Sequence, residues 1–175
     1  MLYLSQKFRI MDKIYGAEIR QDGLYKIGFS LYELIYGFGK DNPTDETGWN
    51  WRQRFDHKPT LTEIEETIKI TINSETDNKI LSGFIWEGMP VWLSSENQFN
   101  YKMAYDLAFQ SEGASLPVTF KFGTDDKPKY HTFESLSEFN DFYLAMSKHI
   151  TDTIKAGWDE KEQLHQEISI FEEVK

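Results

Sequence analysis

Apolar and polar positions alternate, or recur every three to four residues, along most of the chain, and the clearest run of such patterns is Ser82–Gly123. Gly83–Trp86 and Met89–Leu93 are two β-type runs around Glu87-Gly88, a pair whose glycine supplies the positive φ of a tight hairpin turn. Ser95 followed by Gln98 forms a capping box, which predicts a helix over about Ser95–Gln110 with Phe99, Met103, Ala104, Leu107 and Ala108 on one apolar face. That face needs a cover, and Val118–Phe122 is the nearest one in sequence. A second hairpin is predicted from Val118–Phe122 and Lys129–Phe133, joined by the turn-rich Gly123–Pro128. Ser135 and Glu138 then open a helix striped with Phe139, Phe142, Tyr143, Met146, Ile150 and Ile154, and Gly157 suits its left-handed C-terminal cap.

Upstream, Met1–Gly39 mixes Tyr, Ile, Leu and Phe with spaced glycines, which fits short strands better than a helix. Lys40–Pro59 carries loop chemistry in Asp41-Asn42-Pro43 and Asp45–Gly48, with Trp49, Trp51 and Phe55 set among it. Thr60 and Glu63 repeat the capping box, and Leu61, Ile64, Ile68 and Ile72 follow at helical spacing, although Ile68–Ile72 also alternates as a strand would. Beyond Gly157 the chain is charged and mostly acidic, with Leu164, Ile168 and Phe171 spaced for a further helix or a partner-binding tail.

The expected fold is α+β: two β-hairpins in one antiparallel sheet against two or three helices, after a β-rich N-terminal arm. The expected divisions are 1–59 for the arm and its tryptophan loop, 60–163 for the main domain, and 164–175 for an acidic tail. The expected core holds Phe84, Trp86, Trp92, Phe99, Leu107, Phe120, Phe139, Phe142, Met146, Ile150 and Trp158.

Charge narrows the function. A formal net charge of −10 argues against a nucleic-acid surface, which needs clustered Lys and Arg. With no cysteine, disulfides, thiolate metal sites and cysteine nucleophiles are excluded, and a reducing compartment is the compatible one. Lys7, Arg9 and Asp12 leave no room for a secretory apolar core in Met1–Asp12, and no apolar run reaches membrane-spanning length.

Candidate chemistry is sparse. His57, His131, His149 and His165 are scattered singly, without the spacing that puts two imidazoles on one helical face. Asp125-Asp126 is turn chemistry. Ser115 lacks the second glycine of a nucleophile elbow, and Gly37–Lys40 is too short for a phosphate loop. No catalytic, cofactor or metal site is therefore expected. The tryptophans are the better lead: Trp49 and Trp51, with Arg52, Arg54 and Phe55, have the aromatic-anchor and polar-rim makeup of a partner-binding loop.

Ile80–Asn100, Leu116–Gly123 and His149–Lys161 together resemble a domain of tailed phages and prophages of gut bacteria, found in tail-associated and tail-fibre-assembly-like proteins. The resemblance covers roughly 60–163 and brings no catalytic residues with it. It implies a virion component or assembly factor in the host bacterial cytoplasm that contacts other phage structural proteins or itself, with neither nucleic acid nor membrane as partner. A small acidic phage effector that inhibits a host protein is the alternative.

Overall fold

The computed structural model describes residues 9–175, so the expectations for Met1–Phe8 lie outside the described residues. The architecture is α+β. Four strands come first: β1 (Asp12–Ala17), β2 (Gly23–Lys26), β3 (Tyr32–Gly39) and β4 (Gly48–Phe55). Helix α1 (Leu61–Ser82), hairpin β5–β6 (Phe84–Trp86, Met89–Val91) and helix α2 (Ser95–Gln110) follow. Hairpin β7–β8 (Val118–Gly123, Pro128–Phe133) leads into α3 (Leu136–Glu167), which runs into a 3-10 turn at Ile168–Phe171. The first four strands form an antiparallel sheet in the order β1-β4-β3-β2, and each hairpin is a two-stranded sheet of its own rather than half of a shared one.

The chain divides into two compact units, one holding the residues up to Ser74 with Trp158–Lys175, the other Glu75–Gly157. These bounds differ from 59/60 and 163/164 because α1 and α3 each supply residues to both units.

In the first unit, β3 turns Leu34 and Tyr36 inward, Leu24 lies opposite Leu34, and Ile64, Ile68 and Ile72 of α1 complete the buried layer. The helical period wins over the alternation of Ile68–Ile72 because the capping box sets the start: Thr60 N–H donates to Glu63 Oε2 at 2.8 Å and Glu63 N–H to Thr60 Oγ1 at 3.2 Å. The acidic C-terminal segment is no free tail. Leu164 and Phe171 are buried, and Lys175 N–H donates to Leu24 O at 2.8 Å while Lys26 N–H donates to Lys175 O at 3.0 Å.

In the second unit, Glu87 (φ 47°) and Gly88 (φ 73°) take the two positive-φ places of the β5–β6 turn. Its core is aromatic. Phe142, fully buried, lies within 5.0–5.8 Å of the rings of Phe133, Tyr101, Trp86, Phe122 and Phe84. Phe139 and Met146 share its face of α3, while Trp86, Phe120 and Ile150 pack half-buried against the same cluster.

Four expected core residues are instead exposed: Trp92 (52%), Phe99 (61%), Leu107 (58%) and Trp158 (64%). Trp158 turns outward because α3 does not stop at Gly157. A Cβ there would stand 2.4 Å from Thr76 Oγ1, so the glycine serves a close approach of α1 and α3 and not a cap. The α2 capping residue is Ser94, one place earlier than expected: its Oγ accepts from Asn97 N–H at 3.2 Å.

Candidate interaction surface

The tryptophan segment forms β4, a strand between β1 and β3, and not a loop. Strand alternation then divides its residues between two faces. Trp51 and Phe55 pack on the first unit's core. Trp49 shares that face: it meets Trp51 edge-on at 5.3 Å, donates through Nε1 to Asp41 at 3.1 Å, and has Lys13 Nζ 4.1 Å from its ring centre. Arg52 and Arg54 point the other way, to the buried Glu33, at 3.4 and 2.9 Å. They border a hollow of about 300 Å³ with Asp12 and Ile14. The five residues therefore do not make one patch. Each ring or guanidinium has a contact within its own unit, and the Arg54 side chain stays exposed.

The histidines are engaged separately: His57 lies between Asp56 (Nδ1, 2.9 Å) and Glu63 (Nε2, 3.2 Å), His131 Nε2 sits 3.0 Å from Glu138, His149 Nε2 3.1 Å from Lys79 O, and His165 Nδ1 3.1 Å from Glu65. Hydrogen bonding to Asp56, then to Glu63, raises the His57 pKa above its ordinary value. Among the described residues, no group of three or more histidine, aspartate and glutamate side chains is placed to hold a metal ion. Nor is any described helix long and apolar enough to cross a membrane.

One open apolar feature is the outer face of α2. Tyr101 and Ala108, seven residues apart, fix its inward face, and the Tyr101 ring meets Phe120, Phe142 and Phe122 at 4.8, 5.3 and 6.1 Å. Burial pushes the Tyr101 hydroxyl up to about 12. At 100° per residue, Phe99 then lies about 160° round from Tyr101, and Met103 and Leu107 follow it at intervals of four. The result is one ridge along the outer face, with Met103 also exposed at 55%. Beside it, a groove of about 350 Å³ between α2 and α3 is lined by Phe99, Lys102, Tyr143, Met146 and Ile150. A second hollow of about 450 Å³ is lined by Val91, Trp92, Phe122, Lys121 and Asp125. The sequence did mark Phe99, Met103 and Leu107 as a face that needs a cover. What it did not show was that Tyr101, whose ring is as apolar as its neighbours', would turn that face away from the core.

No family model matches the chain, and no curated protein or solved structure matches it either.

Proposed function

We propose that this protein works by protein–protein contact, as a tail-associated structural or assembly component of a tailed phage or prophage. The observation that carries the contact reading is the ridge Phe99–Met103–Leu107, three large apolar side chains in line and each more than half exposed. Single exposed apolar residues are ordinary on a protein surface, whereas an aligned set bordered by a groove has the form of a docking face. The phage assignment rests on the resemblance of Ile80–Asn100, Leu116–Gly123 and His149–Lys161.

The test is co-purification with phage tail components for the wild type and for Phe99→Glu/Leu107→Glu. Both positions face solvent, so the variant is expected to keep the wild-type circular dichroism spectrum and to lose most of the co-purifying tail protein. Wild-type recovery by a folded double variant would remove the ridge from the function. Failure of the wild type to recover any tail component would remove the phage assignment.

A further inference from the structure

We propose that Trp49 and Trp51 form a binding notch for an alkylammonium cation, which the chain's own Lys13 fills when that ligand is away. Strand register builds the notch. Lys13 lies opposite Trp51 and Tyr15 opposite Trp49 in the β1–β4 pair, so all four side chains stand on one face of the sheet. The two indoles are inclined at 64° with their centres 5.3 Å apart, and Lys13 Nζ lies 4.1 Å from the Trp49 ring centre and 5.4 Å from that of Trp51. Both distances are within the reach over which a ring's electron-rich face attracts a cation. An ammonium is a compact charge that two inclined rings can share, whereas a flat guanidinium stacks on one.

The rings are held without help from Lys13. Trp49 lies against Gly39 of β3, where a Cβ would stand 2.3 Å from Cζ2 of the indole, so the glycine is the ring's seat. Asp41 fixes its edge: one carboxylate oxygen accepts from Trp49 Nε1 at 3.1 Å and the other from the Tyr15 hydroxyl at 2.9 Å. Trp51 packs on the first unit's core. Vacating the notch therefore leaves it standing, with the Asp41 charge beside it. Lys13 is a weak occupant, because a cation over partly exposed rings gains about as little as fixing a lysine side chain costs. A ligand ammonium can displace it, and the net charge of −10 draws cations towards the protein. The site lies in the first unit, so it stands or falls independently of the α2 ridge.

Titration of the intact chain with tetramethylammonium chloride, against sodium chloride at the same ionic strength, tests this through the indole N–H resonances in nuclear magnetic resonance spectra. Lys13→Met keeps most of the side chain's bulk and removes its charge. In that variant the Trp49 and Trp51 resonances are expected to shift saturably, with binding roughly 2- to 6-fold tighter than in wild type because the internal competitor is gone. Adding Trp49→Leu is expected to abolish the Trp51 shift, and adding Asp41→Ala, at an exposed loop residue, to weaken binding. Should the Trp49→Leu chain not fold, Asp41→Ala gives the decision. A second titration with Nα-acetyl-lysine methylamide separates the sources of the cation. Saturation by tetramethylammonium alone assigns the notch to a quaternary amine, and saturation by the lysine probe assigns it to a lysine side chain of a protein partner. A Lys13→Met protein that shows no saturable shift with either cation, one that binds less tightly than wild type, or binding that Asp41→Ala leaves undiminished would each overturn the proposal.

Discussion

Replacing Gly157 with alanine sets two known effects against each other at one atom. In a helix interior alanine is favoured over glycine by about 1 kcal/mol, so on propensity alone the change stabilises α3. The added Cβ, however, would stand 2.4 Å from Oγ1 and 3.3 Å from Cγ2 of Thr76 on α1. Threonine is β-branched and stiff at χ1, so it cannot swing clear, and overpacking of this kind costs about 1–3 kcal/mol. The overlap outweighs the propensity, and Gly157→Ala is expected to destabilise the fold by up to about 2 kcal/mol. Thr76→Ala removes both close atoms, and in that background Gly157→Ala should become stabilising by up to about 1 kcal/mol. Urea melts of the four proteins in this cycle give the coupling directly. A Gly157→Ala protein more stable than wild type would refute the close approach.

Three further outcomes are expected. Phe142→Ala, which empties the centre of the aromatic cluster, should cost about 3–5 kcal/mol in a denaturant melt, while Leu144→Ala on the exposed side of the same helix should cost under about 1 kcal/mol. Trp51→Ala should lower stability by roughly 2 kcal/mol, because its half-buried ring packs on the first unit's core; an unchanged melting curve would restore the indole to the surface. The raised pKa of His57 means that its protonated form is favoured in the folded state, so its contribution is complete below about pH 6.5 and is lost as pH rises through the folded value. Because the ring is largely exposed, His57→Gln should cost only a few tenths of a kcal/mol at pH 5.5 and nothing at pH 9, read from melts at both pH values.

Local chemistry was legible wherever a few adjacent residues decide the conformation. The capping box at Thr60/Glu63, the Ser135 cap on Glu138 N–H, the Glu87-Gly88 turn and the inward stripe Phe139, Phe142, Met146 all stand where the pattern puts them. Features that depend on a distant partner were not legible. Gly157 looks like a stop signal until Thr76 is brought against it, and the acidic segment after it looks like a tail until Leu24 and Lys26 pair with Lys175. Trp49–Phe55 alternates as a strand does, but the Pro, Asp and Gly residues before it outweighed that signal; its neighbours β1 and β3 are what make it a strand. The candidate surface was half legible. The spacing of Phe99, Met103 and Leu107 marked an apolar face, and only the docking of Tyr101 into the aromatic core shows which way that face turns.

The most direct measurement of the account's central claim uses the absence of cysteine from the chain. Met103→Cys carries a single thiol at the centre of the ridge, and Leu144→Cys, also at an exposed site, is the control. A thiol covered by a protein–protein contact is shielded from solvent, so maleimide labelling with and without phage tail components reads directly whether the ridge is covered. The account predicts that tail components slow the labelling of Met103→Cys and leave that of Leu144→Cys unchanged. Labelling of Met103→Cys that is the same with and without tail components would contradict it.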